Sequence, residues 1–135
     1  MAQEDYLKKQ LDQLGLVLSR LLSNLLGRND PNQLEDDIDT INQTLENELG
    51  LDIRQLADMP AHSLIDTLKT HHGLTHESLE KLADVLLFAA DSQSGDSKQL
   101  YEKCLTIYEY MEQTDSTYVL DRHWKIERIR QLLQP

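Results

Sequence analysis

Leucines recur every three or four residues through the first part of the chain, with polar residues between them. The series consists of Leu7, Leu11, Leu14, Leu18, Leu21 and Leu25. Alternating steps of four and three residues place such side chains along one side of an α-helix, as in a coiled coil. We therefore predict a first helix from about residue 4 to residue 26, with Leu22 and Leu26 widening its apolar side and a left-handed Gly27 ending it.

A second apolar series with the same spacing follows a short polar connection. It consists of Leu34, Ile38, Ile41 and Leu45. The segment Asp30–Gln33 before it combines a capping residue, a proline and a glutamine, which together are a helix-start signal, and Gly50 after it is a helix-stop signal. Two helices of equal period joined by a short connection predict an antiparallel helical hairpin over residues 4–50.

The middle of the chain carries the start and stop signals of two short helices. Asp52 and Gln55 have the spacing of a capping box, in which each side chain accepts a hydrogen bond from the other residue's backbone. Pro60 is expected to interrupt the first helix, because proline has no amide hydrogen, and to begin a second helix that reaches His71. Gly73 follows as the residue that ends this second helix.

Three further helices are predicted in the last part of the chain. They span about Thr75–Ser92, Asp96–Gln113 and Thr117–Leu133. Thr75 is the expected cap of the first of them, and Asp96 with Gln99 repeats the capping pattern before the second. No alternating strand pattern of useful length occurs in the sequence. We therefore predict a single all-α domain over residues 1–135 with six to seven helices.

The charge of the chain is strongly acidic and unevenly distributed. The formal net charge is −11, and residues 30–66 contain ten acidic residues but only one basic residue, Arg54. Residues 120–135 contain four basic residues against two acidic ones. An acidic field repels the phosphates of nucleic acid, so we expect no nucleic-acid partner. The basic end of the chain could meet an acidic surface, including that of the second predicted helix.

Cysteine content and hydropathy bear on location. The single cysteine, Cys104, cannot form an internal disulfide, and the chain shows no apolar N-terminal leader. No run of 18 apolar residues is present, so no transmembrane helix is expected. These features predict a protein of the reducing cytoplasm that has no membrane partner.

The stretch THHGLTHE contains the only dense group of metal-ligating side chains. His71, His72 and His76 lie within it, on either side of Gly73. A zinc site needs three or four converging ligands, whereas adjacent helical residues point about 100° apart. The favoured interpretation is therefore that the histidines stabilise helix ends, where charged side chains interact with the helix dipole. A metal-responsive or small-ligand regulator using the His71–His76 turn is the alternative.

Other motifs of catalysis are absent from the sequence. There is no Glu-x-x-His pair, no His-Glu-x-x-His and no phosphate-binding glycine loop. Cys104 falls on an apolar stripe, which is typical of a buried thiol. We therefore expect no enzymatic activity and no cofactor.

Aromatic residues near the end of the chain are the candidates for a contact surface. Tyrosine, tryptophan and arginine are common in protein interfaces, and the candidate interaction residues are Tyr101, Tyr108, Tyr110, Trp124 and Arg128. The predicted function is a non-enzymatic protein–protein interaction or scaffold module that binds a protein or peptide. The leucine seam from Leu7 to Leu25 either packs inside the monomer or pairs two copies as a homodimer.

Two resemblances accompany these patterns. The segment Leu79–Met111, with the helix after it, resembles a tetratricopeptide-type helical hairpin, since Leu82-Ala83, Cys104 and Tyr108 match its large, small and aromatic positions. The layout of the whole chain is similar to a bacterial family of small, all-helical, tetratricopeptide-like proteins of unknown function. That similarity rests on the motifs Glu4–Leu11, Leu49–Asp52 and Tyr101–Tyr108.

The second resemblance implies an all-α fold, a bacterial cytoplasmic location and no assigned activity, and it transfers no site residues. Combined with the patterns above, it divides the predicted domain into three parts. These parts are an N-terminal helical hairpin (4–50), two short helices (51–73) and a tetratricopeptide-like group of helices (75–133).

Overall fold

The computed structural model contains seven α-helices within the part of the chain that it describes. It describes residues 2–27, 34–92 and 97–134, with side chains given from residue 13 in the first helix and from residue 37 in the second. The helices are α1 (Ala2–Leu26), α2 (Leu34–Leu49), α3 (Ile53–Asp58), α4 (Ala61–His72), α5 (His76–Ser92), α6 (Lys98–Thr114) and α7 (Leu120–Leu133). No strand occurs in these ranges. The predicted all-α fold of six to seven helices is confirmed.

Helix α5 lies at the centre of the fold. It packs extensively against both α1 and α6, and it also contacts α2. Nine of its side chains are buried, because apolar residues occupy most of its circumference: Ser78, Leu79, Leu82, Ala83, Val85, Leu86, Leu87, Ala89 and Ala90. An apolar surface this wide must be covered by more than one neighbouring helix. The three- and four-residue spacing of Leu79, Leu82, Leu86 and Ala90 predicts that they face inward, and all four are buried.

Helix α1 packs chiefly against α5 and touches α2 at few positions. Within the predicted helical hairpin of residues 4–50, α1 and α2 are in contact, but α5 provides the larger contact surface for α1. Leu14, Leu18, Leu21 and Leu25 are all buried within the monomer. This part of the leucine seam is therefore internal and does not pair two copies. The side chains of Leu7 and Leu11 lie outside the described residues.

The end of α1 differs from the prediction. Leu26 is 64% exposed, so it does not widen the apolar side of the helix, whereas Leu22 is partly buried against the core. Gly27 does not have a positive φ, and its amide continues the helical pattern by donating to the carbonyl oxygen of Ser23 over 3.1 Å. The predicted cap Asp30–Gln33 lies outside the described residues.

Two glycines do adopt the left-handed conformation that the sequence predicts at helix ends. Gly50 follows α2 with φ 72°, and Gly73 follows α4 with φ 69°. The amides of Gly73 and Leu74 both donate to the carbonyl oxygen of Leu68, which closes the end of α4. The chain thus turns sharply between α4 and α5 and brings their ends together.

The capping box before α3 is present as predicted. The amide of Gln55 donates to Oδ1 of Asp52, and the amide of Asp52 donates to Oε1 of Gln55, both over 2.8 Å. The amide of Ile53 donates to Oδ1 of Asn42 over 2.8 Å, which ties α3 to α2. Pro60 then occupies the N-cap of α4, so that helix begins one residue later than predicted.

The last three helices begin close to their predicted starts. Thr75 caps α5, since its Oγ1 accepts from the amide of Ser78 over 3.1 Å and its own amide donates to Oγ of Ser78 over 2.7 Å. The N-cap of α6 is Ser97, and the predicted cap Asp96 lies outside the described residues. Helix α7 begins at Leu120 instead of Thr117. No helix within the described ranges combines the length and apolar character needed to cross a bilayer.

Candidate functional site

Helix α7 is joined to α5 by a row of ion pairs. They connect Arg122 to Glu80 over 2.6 Å, Lys125 to Asp84 over 2.9 Å and Arg128 to Asp91 over 2.7 Å. From one pair to the next the residue number increases in both helices, so α7 runs parallel to α5. The basic residues of α7 therefore pair with acidic residues of α5 and, through Glu112, of α6. None of these ion pairs involves α2, which was the acidic partner considered above.

Arg122 is the most deeply buried member of this row. Its side chain is only 4% exposed, and its guanidinium also donates to Glu112 over 3.2 Å and to Asp115 over 2.7 Å. Asp115 also accepts a hydrogen bond from Nε2 of His76. The hydrogen bonds from His76 and Arg122 lower the pKa of the Asp115 carboxyl. One guanidinium thus joins the starts of α5 and α7 to the end of α6.

Asp84 holds the second contact of the row together with a tyrosine. The hydroxyl of Tyr108 donates to Oδ1 of Asp84 over 2.5 Å, and Lys125 donates to the same oxygen. Burial, followed by the charge of Asp84, raises the pKa of Tyr108. Because Tyr108 is fully buried, its prediction as a contact residue was wrong. Its ring fills the core between α5 and α6, and its hydroxyl fixes Asp84.

Asp91 repeats the arrangement further along α5. The hydroxyl of Tyr101 donates to it over 2.6 Å, and Arg128 donates through both terminal nitrogens, over 3.1 Å and 2.7 Å. Burial and then the hydrogen bond to Asp91 raise the pKa of Tyr101 to about 12. Tyr101 is therefore a partly buried member of the helix junction. The side chain of Arg128 remains 46% exposed despite its ion pair.

Tyr110 belongs to a different junction. Its hydroxyl accepts a hydrogen bond from Nζ of Lys69 over 2.9 Å, and its ring centroid lies 6.3 Å from that of His76. Tyr110 thus connects α6 to the end of α4 and the start of α5. Of the five predicted contact residues, only Trp124 and Arg128 present a large exposed side chain.

An exposed aromatic group lies at the start of α7. Trp124 is 62% exposed and Tyr118 is 64% exposed. The ring of His123 lies between them, with centroids 5.4 Å from Trp124 and 5.8 Å from Tyr118. Leu120, one helical turn before Trp124, is exposed as well. Large apolar side chains concentrated at one place on a surface are characteristic of contact sites.

Tyr118, His123 and Leu120 were not among the predicted contact residues. The helical period could have identified Leu120 as exposed. The buried positions of α7 are Arg122, Ile126 and Ile129, and residues 120 and 124 lie on the opposite side of the helix. To decide from the sequence which side of α7 is buried, one would have to know that the charged Arg122 faces inward. Arginine is seldom buried unless it is paired, so the inward side of α7 is not evident from the sequence.

The histidines of the THHGLTHE stretch occupy the helix ends that were predicted for them. His71 and His72 lie in the last turn of α4, and His76 lies in the first turn of α5 with its Nε2 bonded to Asp115. Among the described side chains, no group of three or more histidine, cysteine or acidic residues is arranged to hold a metal ion. The fold therefore does not assemble His71, His72 and His76 into a common site.

Cys104 is a buried thiol, as predicted. Its side chain has no exposed surface, and its Sγ lies 3.7 Å from the carbonyl oxygen of Ala83. Burial is the main cause that raises the pKa of this thiol well above its usual range. The thiolate that nucleophilic chemistry requires is thereby disfavoured.

A cavity of about 400 Å³ lies between α2, α3 and α6. Ile38, Ile53 and Leu100 give it an apolar side, and Asn42 lies at its polar side. The Oδ1 atom of Asn42 already accepts from the amide of Ile53. At the polar side of the cavity, Asn42 therefore joins α2 to α3 through this hydrogen bond.

Comparisons of the chain with protein-family models, with curated protein sequences and with solved structures gave no match. The described surface offers exposed aromatic rings at the start of a helix that ion pairs, including those of the buried Arg122, hold against α5 and α6. Such an arrangement can bind another molecule by contact.

Proposed function

We propose that this protein is a non-enzymatic protein–protein interaction module whose contact surface lies at the start of α7. The observation that carries the proposal is the pair of exposed rings, Trp124 and Tyr118, held on either side of His123. Tryptophan, tyrosine and arginine dominate the binding energy of protein interfaces. Arg128, one turn after Trp124, adds the third of these residue types.

The ion pairs that hold α7 in place should allow a partner to bind with little conformational change in this protein. Arg122 anchors α7 to α5 from the side opposite Trp124, and Lys125 adds a second ion pair to α5. A surface that is already ordered before binding loses less conformational entropy when a partner docks. The ion pairs of α7 therefore serve the proposed function indirectly, by fixing the helix that carries Trp124.

The resemblance to small bacterial tetratricopeptide-like proteins belongs to the same proposal. The order of α5, α6 and α7, with α7 parallel to α5, suits a helical scaffold of that kind. The unpaired, buried Cys104 suits a reducing cytoplasm. The metal-responsive alternative is less favoured, because His76 is engaged with Asp115.

Site-specific photo-crosslinking in cells tests this proposal. A photoreactive phenylalanine analogue replaces Trp124 in one variant and Asn47, an exposed residue of α2, in the control. We expect discrete adducts of defined mass from position 124 and none from position 47. Equal adducts from both positions, or no adduct from position 124, would remove the start of α7 as a contact surface.

A further inference from the structure

The cavity between α2, α3 and α6 has an aliphatic floor. Ile53 and Leu100 are almost fully buried, and Ile38 and Ala57 are partly buried residues that pack against the core. Its volume of about 400 Å³ lies toward the lower end of the roughly 300–1,000 Å³ that small-molecule sites occupy. Such sites combine an apolar lining with a few polar groups that orient the ligand. The floor therefore suits a small ligand that carries an aliphatic group.

Two residues of opposite charge, Arg54 and Asp58, line this cavity from α3. Both are exposed, and within the described part of the chain neither forms a hydrogen bond or an ion pair, even with the other. Residues four apart on a helix are neighbours, about 5–6 Å apart between Cβ atoms, but an acidic residue pairs best when it precedes the basic one. Arg54 precedes Asp58, which is the less favourable order. Both charges are therefore available to a ligand.

The dipole of α3 does not account for these two charges either. Arg54 lies in the first turn of the helix and Asp58 is its last residue. Acidic side chains are favourable near the start of a helix and basic ones near its end, so each charge stands at the opposite end from the favourable one. Residues that break a local rule of this kind without a structural gain are expected at functional sites.

Two carboxamide side chains complete the polar lining of the cavity. Oδ1 of Asn42 accepts from the amide of Ile53, so Nδ2 is the end of this carboxamide that can still donate. Gln99, an exposed residue of α6, offers both a donor and an acceptor. A carboxylate bound in the cavity therefore has uncharged donors available in addition to the guanidinium of Arg54.

The charge around the cavity favours a zwitterion over a simple ion. The chain has a net charge of −11, and Arg54 is the only basic residue among residues 30–66, which contain ten acidic ones. This acidic field repels a simple anion, whereas the guanidinium of Arg54 repels a simple cation. A free α-amino acid has no net charge, and it carries its carboxylate and its ammonium group on one carbon atom next to the side chain. It can therefore pair with both charges of α3 at once.

We propose that the cavity between α2, α3 and α6 binds a free α-amino acid with an aliphatic side chain, such as leucine. Its carboxylate pairs with Arg54, its ammonium group pairs with Asp58, and its side chain lies on Ile53 and Leu100. This site is separate from the start of α7 and does not rest on the proposed interaction function. Ion pairs of exposed side chains contribute little, so the dissociation constant should lie between about 10 µM and 1 mM.

Titration of the full chain with L-leucine, followed by heteronuclear NMR spectroscopy, tests the proposal. A final ligand concentration of about 20 mM exceeds the expected dissociation constant. The backbone amide signals of Ile53, Arg54, Ala57 and Leu100 should shift and reach saturation together. The signal of Trp124 should not move, because it lies on a different helix from those that form the cavity.

Charge-neutral variants then test the two ion pairs. Arg54→Gln and Asp58→Asn should each weaken L-leucine binding about fivefold or more, which corresponds to the upper value for an exposed ion pair. Both positions are exposed, so the fold should be retained. Arg20→Gln, which neutralises an exposed arginine of α1, is the matched control and should leave binding unchanged.

Two ligands that each lack one charge test which residue pairs with which group. Isocaproate has the carboxylate and the aliphatic chain of leucine without the ammonium group, and isoamylamine has the ammonium group without the carboxylate. Both should bind the wild type more weakly than L-leucine does. Arg54→Gln should weaken the binding of isocaproate and not that of isoamylamine, whereas Asp58→Asn should have the opposite effect.

Any of four results would overturn the amino-acid site. They are the absence of saturable shifts with L-leucine up to about 20 mM, shifts that occur only away from the cavity, a loss in Arg20→Gln equal to that in Arg54→Gln, and isocaproate or isoamylamine binding as tightly as L-leucine. The crosslinking experiment at position 124 probes a different surface. Failure of the amino-acid site therefore leaves the proposed interaction function standing, and the reverse also holds.

Discussion

Arg122 on α7 donates from Nε to Oε2 of Glu80 on α5 over 2.6 Å, and these two residues are 42 positions apart in the chain. The guanidinium is nearly inaccessible to solvent, and it also contacts Glu112 and Asp115 at the end of α6. Burying this charge is compensated because three carboxylates surround it. Arg122 therefore helps to hold α7, and with it Trp124, in place, together with the ion pairs of Lys125 and Arg128.

Replacing Arg122 tests this role. Arg122→Met leaves Glu80, Glu112 and Asp115 close together without a cation, and it should lower the free energy of unfolding by about 2–3 kcal/mol. The expected loss lies below that for a fully buried pair because the carboxylates are about a quarter exposed. Urea denaturation measures it. Arg130→Met removes ion pairs between exposed side chains and should change stability by less than about 0.5 kcal/mol. Equal losses in the two variants would contradict the assigned role.

The carboxyl of Asp115 predicts how stability depends on pH. Its pKa is lowered in the folded protein by hydrogen bonds from His76 and Arg122, so the folded state favours its ionised form. The stabilisation is present above the ordinary aspartate pKa of about 4 and is lost as pH falls through the lower pKa of the folded protein.

Thermal unfolding of the wild type and of Asp115→Asn between about pH 6 and pH 3 measures this dependence, over a range that brackets the ordinary carboxyl pKa of about 4. The stability difference between them should be largest at the upper end and should shrink toward the lower end. Asp58→Asn, at an exposed position in α3, is the control. A difference that grows as pH falls would show that the sign is wrong.

Two leucines on α1 form a matched pair for testing its packing. Leu18 has no exposed surface, whereas Leu16, two residues earlier, is 57% exposed. Leu18→Ala should lower the free energy of unfolding by about 2–5 kcal/mol, and Leu16→Ala should change it by less than about 0.5 kcal/mol. Because Leu18 is buried within the monomer, the loss caused by Leu18→Ala should be the same at every protein concentration. A loss that varies with concentration would instead place Leu18 in an intermolecular contact.

The reactivity of Cys104 reports on the opening of the core between α5 and α6. The thiol is fully buried and its pKa is raised, so a thiol-specific reagent at neutral pH should label the native protein very slowly. Labelling should accelerate with urea in step with unfolding followed by circular dichroism. Ser116→Cys in a Cys104→Ala background supplies an exposed thiol that should react at once. Fast labelling of Cys104 in the native protein would show that this part of the core opens locally.

The phenol of Tyr101 gives a second test of the helix junction. Burial and the hydrogen bond to Asp91 raise its pKa to about 12, so it stabilises the fold fully below the ordinary tyrosine pKa of about 10. This stabilisation should disappear as the pH rises through about 12. Tyr101→Phe should remove that part of the alkaline loss of stability, as measured by chemical denaturation. An unchanged alkaline profile in Tyr101→Phe would contradict the buried hydrogen bond.

The sequence predicted the local features of the fold well. The capping box of Asp52 and Gln55 and the left-handed Gly50 and Gly73 depend on residues within about four positions of each other, and all are present. The burial of Leu18 followed in the same way from helical period. The exposed Leu26 is an exception: the adjacent Leu25 is buried, so Leu26 lies on the side of α1 that the core does not cover.

The candidate site was predicted only in part. Trp124 and Arg128 are exposed, but Tyr108 is fully buried, because a ring that packs in the core can still satisfy its hydroxyl when a carboxylate lies within reach. Whether such a carboxylate is near cannot be read from spacing, since Asp84 lies 24 residues away.

The sequence by itself determined that this protein is all-helical, where most of its helices begin and end, and which side of α1 is buried. These properties follow from hydrogen bonds and side-chain periods within single helices. Only the tertiary structure decided that α1 packs on α5, that Arg122 is buried and that Trp124 faces outward. Those outcomes depend on contacts between residues that are distant in the chain. From the sequence alone, the charged side chain of Arg122 could equally lie in solvent or among buried carboxylates. The packing of α5, α6 and α7 selects the second for Arg122, and the exposed face of α7 follows from that choice.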